Sequence, residues 1–287
     1  MTSGSSASGD VVVVGDVMLD VVVEAGALAR GGDVHGRVRT HPGGGAANAA
    51  VWAAAWGAAV RLYGRVGDDT TGRVMRAALE ERGVEACLAV DTAEATGTML
   101  VVLEDGERSM VADRGANARL SPDDLPARIE ARAVLVSGYV LFHPGSEPAA
   151  RAAIERADAG FVAVDAASWP LVEGYGVDRF FEATADVTVL LANEREAHAL
   201  GGPEALARRY PIACVKLGHE GAVLIRDGAE TRIPTNAIES HDTSGAGDAF
   251  DGAFLAALAG GADPVAAATA GCAAGSRRVA SGRQWPG

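Results

Sequence analysis

The segment Asp242-Thr243-Ser244-Gly245-Ala246-Gly247-Asp248-Ala249-Phe250 sets Gly245, Ala246 and Gly247 between two carboxylates. Apolar residues at helical spacing follow at once: Phe250, Ala253, Phe254, Ala257 and Leu258. This pattern predicts a loop feeding a helix N-terminus. Small residues there leave backbone N–H groups able to face an anion, and the helix dipole favours negative charge. A carboxylate beside an anion cradle is costly unless it serves chemistry, such as taking a proton from an attacking hydroxyl. Asp248 suits that role. Taken alone, the same residues also suit a glycine-rich turn capping a helix.

Other segments offer matching groups. Gly15-Asp16-Val17-Met18-Leu19-Asp20 follows the first apolar run, where open α/β sheets place their ligands. Asp20 suits the vicinal hydroxyls of a sugar; Asp16 suits the same task or a turn cap. Pro42-Gly43-Gly44-Gly45-Ala46-Ala47-Asn48 lets the backbone come close to a ligand, and Asn48 supplies both a donor and an acceptor. A carboxylate, backbone amides and an amide side chain together suit a polyol. Asn193 and Glu196 fall three apart at a helix start. They suit Mg²⁺ held through water and equally a reciprocal helix cap. Lys216 ends a strand, placed to meet a phosphate or solvent. The small, apolar run 266–276 leaves room for a flat ring or for tight helix packing.

The elements that must position these groups alternate. Short apolar runs at 11–14, 61–66, 134–137, 161–165, 187–191 and 213–217 predict strands of a parallel sheet covered on both faces. Helical stretches at 46–56, 71–82, 148–157, 194–200 and 249–259 separate them, an α/β pattern. Two segments break the rhythm. Residues 17–40 hold a β-like run at 21–24 and then a polar loop. Residues 98–112 read as a hairpin turning at Asp105-Gly106. Both fit a small β lid over one edge of a single α/β domain spanning 10–287, with 1–9 as a flexible Ser/Gly-rich leader.

Bulk properties narrow the function. The chain has 287 residues, 48% of them hydrophobic, and a net charge of −13. That balance argues against nucleic-acid and anionic-membrane surfaces, and no apolar run approaches the ~18 residues of a membrane span. A cytoplasmic location is expected, without a signal peptide. The three cysteines and six histidines show no zinc spacing and no disulfide framework. The phosphate loop Gly-x-x-x-x-Gly-Lys-Ser/Thr, the dinucleotide motif Gly-x-Gly-x-x-Gly after the first strand and the Gly-x-Ser-x-Gly elbow are all missing.

The segment 242–250 resembles the signature of the ribokinase, or PfkB, family of carbohydrate kinases, and other motifs follow in family order. The resemblance implies a ribokinase-like three-layer fold with a β-sheet lid. It implies ATP as donor and Mg²⁺ near Asn193 and Glu196. Asp248 becomes the catalytic base, with the amides of Gly245, Ala246 and Gly247 as the anion hole. Asp20, Gly44, Gly45 and Asn48 hold the sugar, and Gly218 and Gly221 let the backbone approach ATP, with Lys216 at a phosphate. Asp242 joins a K⁺ site. Gly115-Ala116-Asn117 is similar to a stretch in ribokinase-like members and tilts the acceptor towards a free, ribose-like sugar. Fructose, 2-keto-3-deoxygluconate and a nucleoside such as adenosine stay open. A phosphorylated acceptor would need Arg37, Arg39 or Arg114, for which surface solvation is expected. A nucleoside would need walls such as Tyr139, Phe142, His143 and Trp169. A non-catalytic sugar or nucleotide sensor is the alternative of a different class. A homodimer through exposed lid strands is also expected.

Overall fold

Val11–Val14 is an uninterrupted apolar strand. In the computed structural model, Val11 and Val13 enter one apolar cluster while Val12 and Val14 enter another. Burial on both faces removes any need for alternation, as a helix-covered parallel sheet requires. The structure describes residues 10–26, 29, 31–104, 107–235 and 243–286. The expected leader, the Asp105-Gly106 turn and Asp242 lie outside the described residues.

The main sheet has nine strands. Their order is Ala229–Ile233, Ala222–Arg226, Ile212–Lys216, Val189–Asn193, Phe161–Asp165, Ala133–Ser137, Val11–Val14, Val60–Gly67 and Val84–Asp91. Pairing is parallel from Ile212–Lys216 to Val84–Asp91. The first two strands add antiparallel at one edge. The second sheet has four strands, in the order Gly36–Gly43, Met18–Ala25, Gly97–Glu104 and Glu107–Asp113. The fold is thus the expected α/β layering with a small β-sheet beside it.

Two local expectations are corrected. The polar loop expected up to residue 40 contains a strand, because Gly36–Gly43 pairs along the whole of Met18–Ala25. Its exposed, charged side chains hid it from a hydrophobicity pattern. Val84–Asp91 is a further strand on the main sheet's edge, with Val84, Ala86 and Leu88 buried and Glu85 exposed.

Helix packing brings distant segments together. Gly45–Ala55 lies beside Ala246–Ala259 at very short range. A Cβ on Gly252 would run into the Ala49 carbonyl and come within 2.8 Å of the Ala53 nitrogen. Pro264–Ser281 packs on Ala246–Ala259 as well, and a Cβ on Gly271 would meet the Phe250 ring at 2.8 Å. No helix among the described residues is long and apolar enough to cross a membrane.

Candidate active site

Asp16 organises the start of the helix Gly45–Ala55. It leaves the strand Val11–Val14 buried, and its carboxylate accepts the Gly45 N–H at 2.9 Å and the Ser137 hydroxyl at 3.0 Å. This anchors the start of the helix Gly45–Ala55 against two strand ends. Gly44 sits at φ 96°, and a Cβ there would meet the Asp16 carbonyl oxygen at 2.6 Å, so the turn needs glycine. Asp20 lies on Met18–Ala25 opposite His41. Gly43 makes room for it, since a Cβ would overlap the Asp20 carboxyl. Burial pushes Asp20 up to about 6, against a hydrogen bond from Gln284 and with Asp16 adding repulsion.

Asn48 faces the other helix. Its Nδ2 donates to Asp248 Oδ2 at 2.8 Å, and its Oδ1 accepts the Trp285 indole N–H at 2.8 Å. The side chain expected at the sugar therefore has its carbonyl and one N–H committed within the protein. Asp248 stands in the first turn of Ala246–Ala259, which starts at Gly245 in the left-handed region, φ 71°. Asp248 Oδ1 lies 3.5 Å from the point where a Gly45 Cβ would sit. Burial pushes Asp248 up to about 7; the Asn48 hydrogen bond opposes this, Asp165 adds to it, and Lys216 opposes it again. In the expected anion hole, Ala246 N–H donates to the Thr243 carbonyl at 3.1 Å. Gly245 and Gly247 flank it at the helix start. A Cβ on Gly245 would meet Gln284 Oε1 at 2.6 Å.

The opposite wall is a charge cluster. Lys216 Nζ reaches Asp165 at 3.1 Å and Asp251 at 2.9 Å. It also lies 3.5 Å from the Cβ position of Gly247, beside the helix start. Although burial disfavours the ammonium, Asp165, Asp251 and Glu196 hold its pKa well above the ordinary lysine value. Asn193 and Glu196 form the reciprocal cap. Asn193 N–H donates to Glu196 Oε2 at 2.7 Å, its Nδ2 to Oε1 at 2.5 Å, and Glu196 N–H to Asn193 Oδ1 at 3.0 Å. Burial, with repulsion from Asp165, pushes Glu196 up to about 7, opposed by Lys216. Gly221, at φ 96°, has no room for a side chain against the Ile233 carbonyl, so the sheet edge accounts for it. Gly218, at φ 62°, borders open space.

Residues 8–283 match the model of the pfkB family carbohydrate kinases. The chain belongs to the PfkB family. It is 30% identical over 269 residues to a ribokinase of Bacillus subtilis, covering 90% of this chain and 88% of the relative. It is 30% identical over 267 residues to an aminoimidazole riboside kinase of Salmonella typhimurium, covering 86% and 80%. The structure of an adenosine kinase from Sinorhizobium meliloti superposes with a TM-score of 0.86 at 24% identity, covering 98% of this chain and 96% of that one. This PfkB-family chain is a phosphotransferase of the sugar and nucleoside kinase class.

The family implies a divalent metal. No group of three or more His, Cys, Asp or Glu side chains among the described residues could hold an ion directly. Glu196 and Asn193 are engaged with each other, so they fit a metal reached through its water shell rather than by direct ligation. Several residues of the kinase site escaped the sequence reading. Asp251 carried a signal, standing one helical turn from Asp248. Asp165 ends the strand Phe161–Asp165, the sheet edge that also carries Asp16. Gln284 and Trp285 carried none; they reach the site only because the chain returns after Pro264–Ser281, where Trp52 Nε1 donates to the Gln284 carbonyl at 3.0 Å.

Proposed function

We propose that this chain transfers the γ-phosphate of ATP to a primary hydroxyl of a ribose-like sugar. The observation that carries the reading is Asp248, a carboxylate with a raised pKa at a glycine-initiated helix start, steadied by Asn48 and flanked by Lys216. As the hydroxyl oxygen bonds to the γ-phosphorus, its proton passes to Asp248. The bond from that phosphorus to the β–γ bridging oxygen breaks, and ADP leaves with the electron pair. Backbone amides at Gly245 and Gly247, with the Lys216 charge beside them, stabilise the transferring phosphoryl; positioning and electrostatics supply most of the rate. Glu196 and Asn193 would meet the water shell of a nucleotide-bound Mg²⁺, which would supply neutralisation of phosphate charge.

On the acceptor side, Asp20 and the backbone of Gly44 take the sugar hydroxyls, while the Gly45 N–H is held by Asp16 and Asn48 acts by orienting Asp248. Relatives named for ribose and for a riboside support a ribose-like acceptor. Phe142, a wall that a nucleoside base would need, packs instead on Tyr175 and Phe180 at 5.4 and 5.8 Å. ATP as donor makes the cytoplasm the working compartment. The lid exposes Val38 and Val111 on one face, an apolar surface suited to a homodimer. Light scattering of wild type and Val38→Glu tests that point, with a monomer for the wild type overturning it.

Coupled ADP release with a panel of pentoses, hexoses and nucleosides tests the reaction. Sugar-dependent ADP formation is expected. Sugar binding without ADP or phosphorylated product would make the chain a sensor instead.

A further inference from the structure

Arg114 stands where the lid strand Glu107–Asp113 returns to the body of the fold. Its Nε and Nη2 are sealed from solvent and have no hydrogen-bond partner among the described residues. Arg61 also has a buried, unpartnered Nε, but its terminal nitrogens reach Tyr63 and the Glu130 carbonyl. The adjacent Asp113 does not neutralise Arg114; its carboxylate accepts the Gly115 N–H at 3.0 Å. A guanidinium is always charged, and burying an unpaired charge is strongly unfavourable. Such a group calls for a partner that arrives from outside.

The position of Arg114 says what that partner belongs to. Its Cζ lies 5.9 Å from the centroid of the Tyr139 ring. That ring comes within 3.8 Å of the Gly45 Cβ position, the same point that lies 3.5 Å from Asp248 Oδ1. Arg114, Tyr139, Gly45 and Asp248 therefore neighbour one another in turn. The backbone of Arg114 is tied to the acceptor side as well. Asn117 Nδ2 donates to the Arg114 carbonyl at 3.1 Å and to the Val17 carbonyl at 2.9 Å, while Asn117 Oδ1 accepts the Val17 N–H at 2.8 Å. His143 is kept from adding a second cation, since burial and the Arg114 charge lower its pKa. With Gly145 N–H donating to His143 Nδ1 at 3.1 Å, the neutral ring carries its proton on Nε2, a further donor near Arg114.

We infer that the acceptor sugar carries an oxyanion, a carboxylate or a phosphate monoester, and that Arg114 pairs with it. This rests on the kinase reading of the same site and replaces the free sugar with a charged one. Asp16, Asp20 and Asp248 would repel an anionic acceptor that had no local cation to meet it. A planar guanidinium with two unpartnered nitrogens matches the two oxygens of such a group. The other two lid arginines do not compete for the role: Arg37 is exposed, and Arg39 is exposed and paired with Glu24 at 2.6 Å.

The test is steady-state kinetics of the full chain with ATP on matched acceptors: neutral sugars, the corresponding sugar acids, and the corresponding sugar phosphates. The wild type should prefer one anionic series over its neutral counterpart in kcat/KM, and the carboxylate and phosphate arms show which anion is meant. Arg114→Gln should lower the anionic-to-neutral ratio by about 10- to 100-fold, mostly through KM, the range of a charge-assisted pair. Arg114→Lys should restore part of the ratio, and Arg39→Gln should leave it unchanged. Thermal unfolding of each variant confirms that it is folded. Equal or better turnover of the neutral series by the wild type overturns the inference and leaves the kinase reading standing, as does an unchanged ratio in a folded Arg114→Gln. If no acceptor in any arm is phosphorylated, the kinase reading fails first and this inference with it.

Discussion

Lys216 and Arg114 are cations on two walls of the candidate site, and the fold treats them in opposite ways. Lys216 holds Asp165 and Asp251 within 3.1 Å, with Glu196 adding to the negative field. Arg114 has two sealed nitrogens and no partner among the described residues. The first wall is neutralised by the protein itself before any ligand arrives. Its lysine is a fixed source of field beside the helix start at Gly247. The second wall has its neutralisation deferred to a ligand. A preformed charge network suits the phosphoryl side, where reorganisation during the reaction is costly. An unsatisfied charge suits the side where one acceptor must be told from another.

The largest effect that could break this comparison is at the proposed base. Asp248→Asn should reduce kcat by about 10²–10⁴-fold if Asp248 takes the proton; near-normal turnover in a coupled assay removes it from the mechanism. Next comes the lysine wall. Lys216→Met leaves Asp165 and Asp251 facing each other in a buried pocket and should destabilise the fold by about 3–5 kcal/mol. Arg114→Gln breaks no ion pair and removes a buried, unpaired charge, so it should leave stability unchanged or raise it. Denaturant unfolding of the two variants compares them directly, and equal losses would erase the contrast.

A smaller effect probes how the walls are held together. Gly252→Ala forces a methyl against the Ala49 carbonyl and should destabilise by about 1–3 kcal/mol. Because it moves Asn48 away from Asp248, kcat should fall as well; wild-type stability and kcat together would show that the helices part freely. The smallest is the pH profile. Asp248 titrates near 7 through burial and its neighbours. Protonated, it cannot accept the hydroxyl proton, so kcat/KM should fall by about tenfold per pH unit on the acid side and level off above the pKa. Glu196 titrates in the same range, and Glu196→Gln separates the two: the limb should persist in that variant. An acid limb near 4 instead would place the base in an ordinary, solvated environment.

The sheet was largely legible because its strands are apolar on both faces, as Val11–Val14 shows. The strand Gly36–Gly43 was not. Gly36–Thr40 is exposed throughout and alternates Val38 with the charged Arg37 and Arg39, so its pairing with Met18–Ala25 left no apolar run. In the site, segments with their own turn chemistry were readable: Gly44 and Gly45 before a helix, Gly245 and Gly247 before another, Asn193 with Glu196 as a cap. Partners set by packing between segments were not. Asn48 and Asp248 lie 200 residues apart, and nothing local announces that Gly252 brings their helices into contact.

The sequence by itself determined the layered α/β fold and the family, because both are encoded in short-range spacing. Only the tertiary structure decided which charges are paired. Burial and pairing are properties of neighbours, and the neighbours of Lys216 and Arg114 come from strands and helices far away in the chain. Sequence reading left both cations divided between phosphate and solvent. Folding ties one to two carboxylates and seals two nitrogens of the other, unpaired among the described residues.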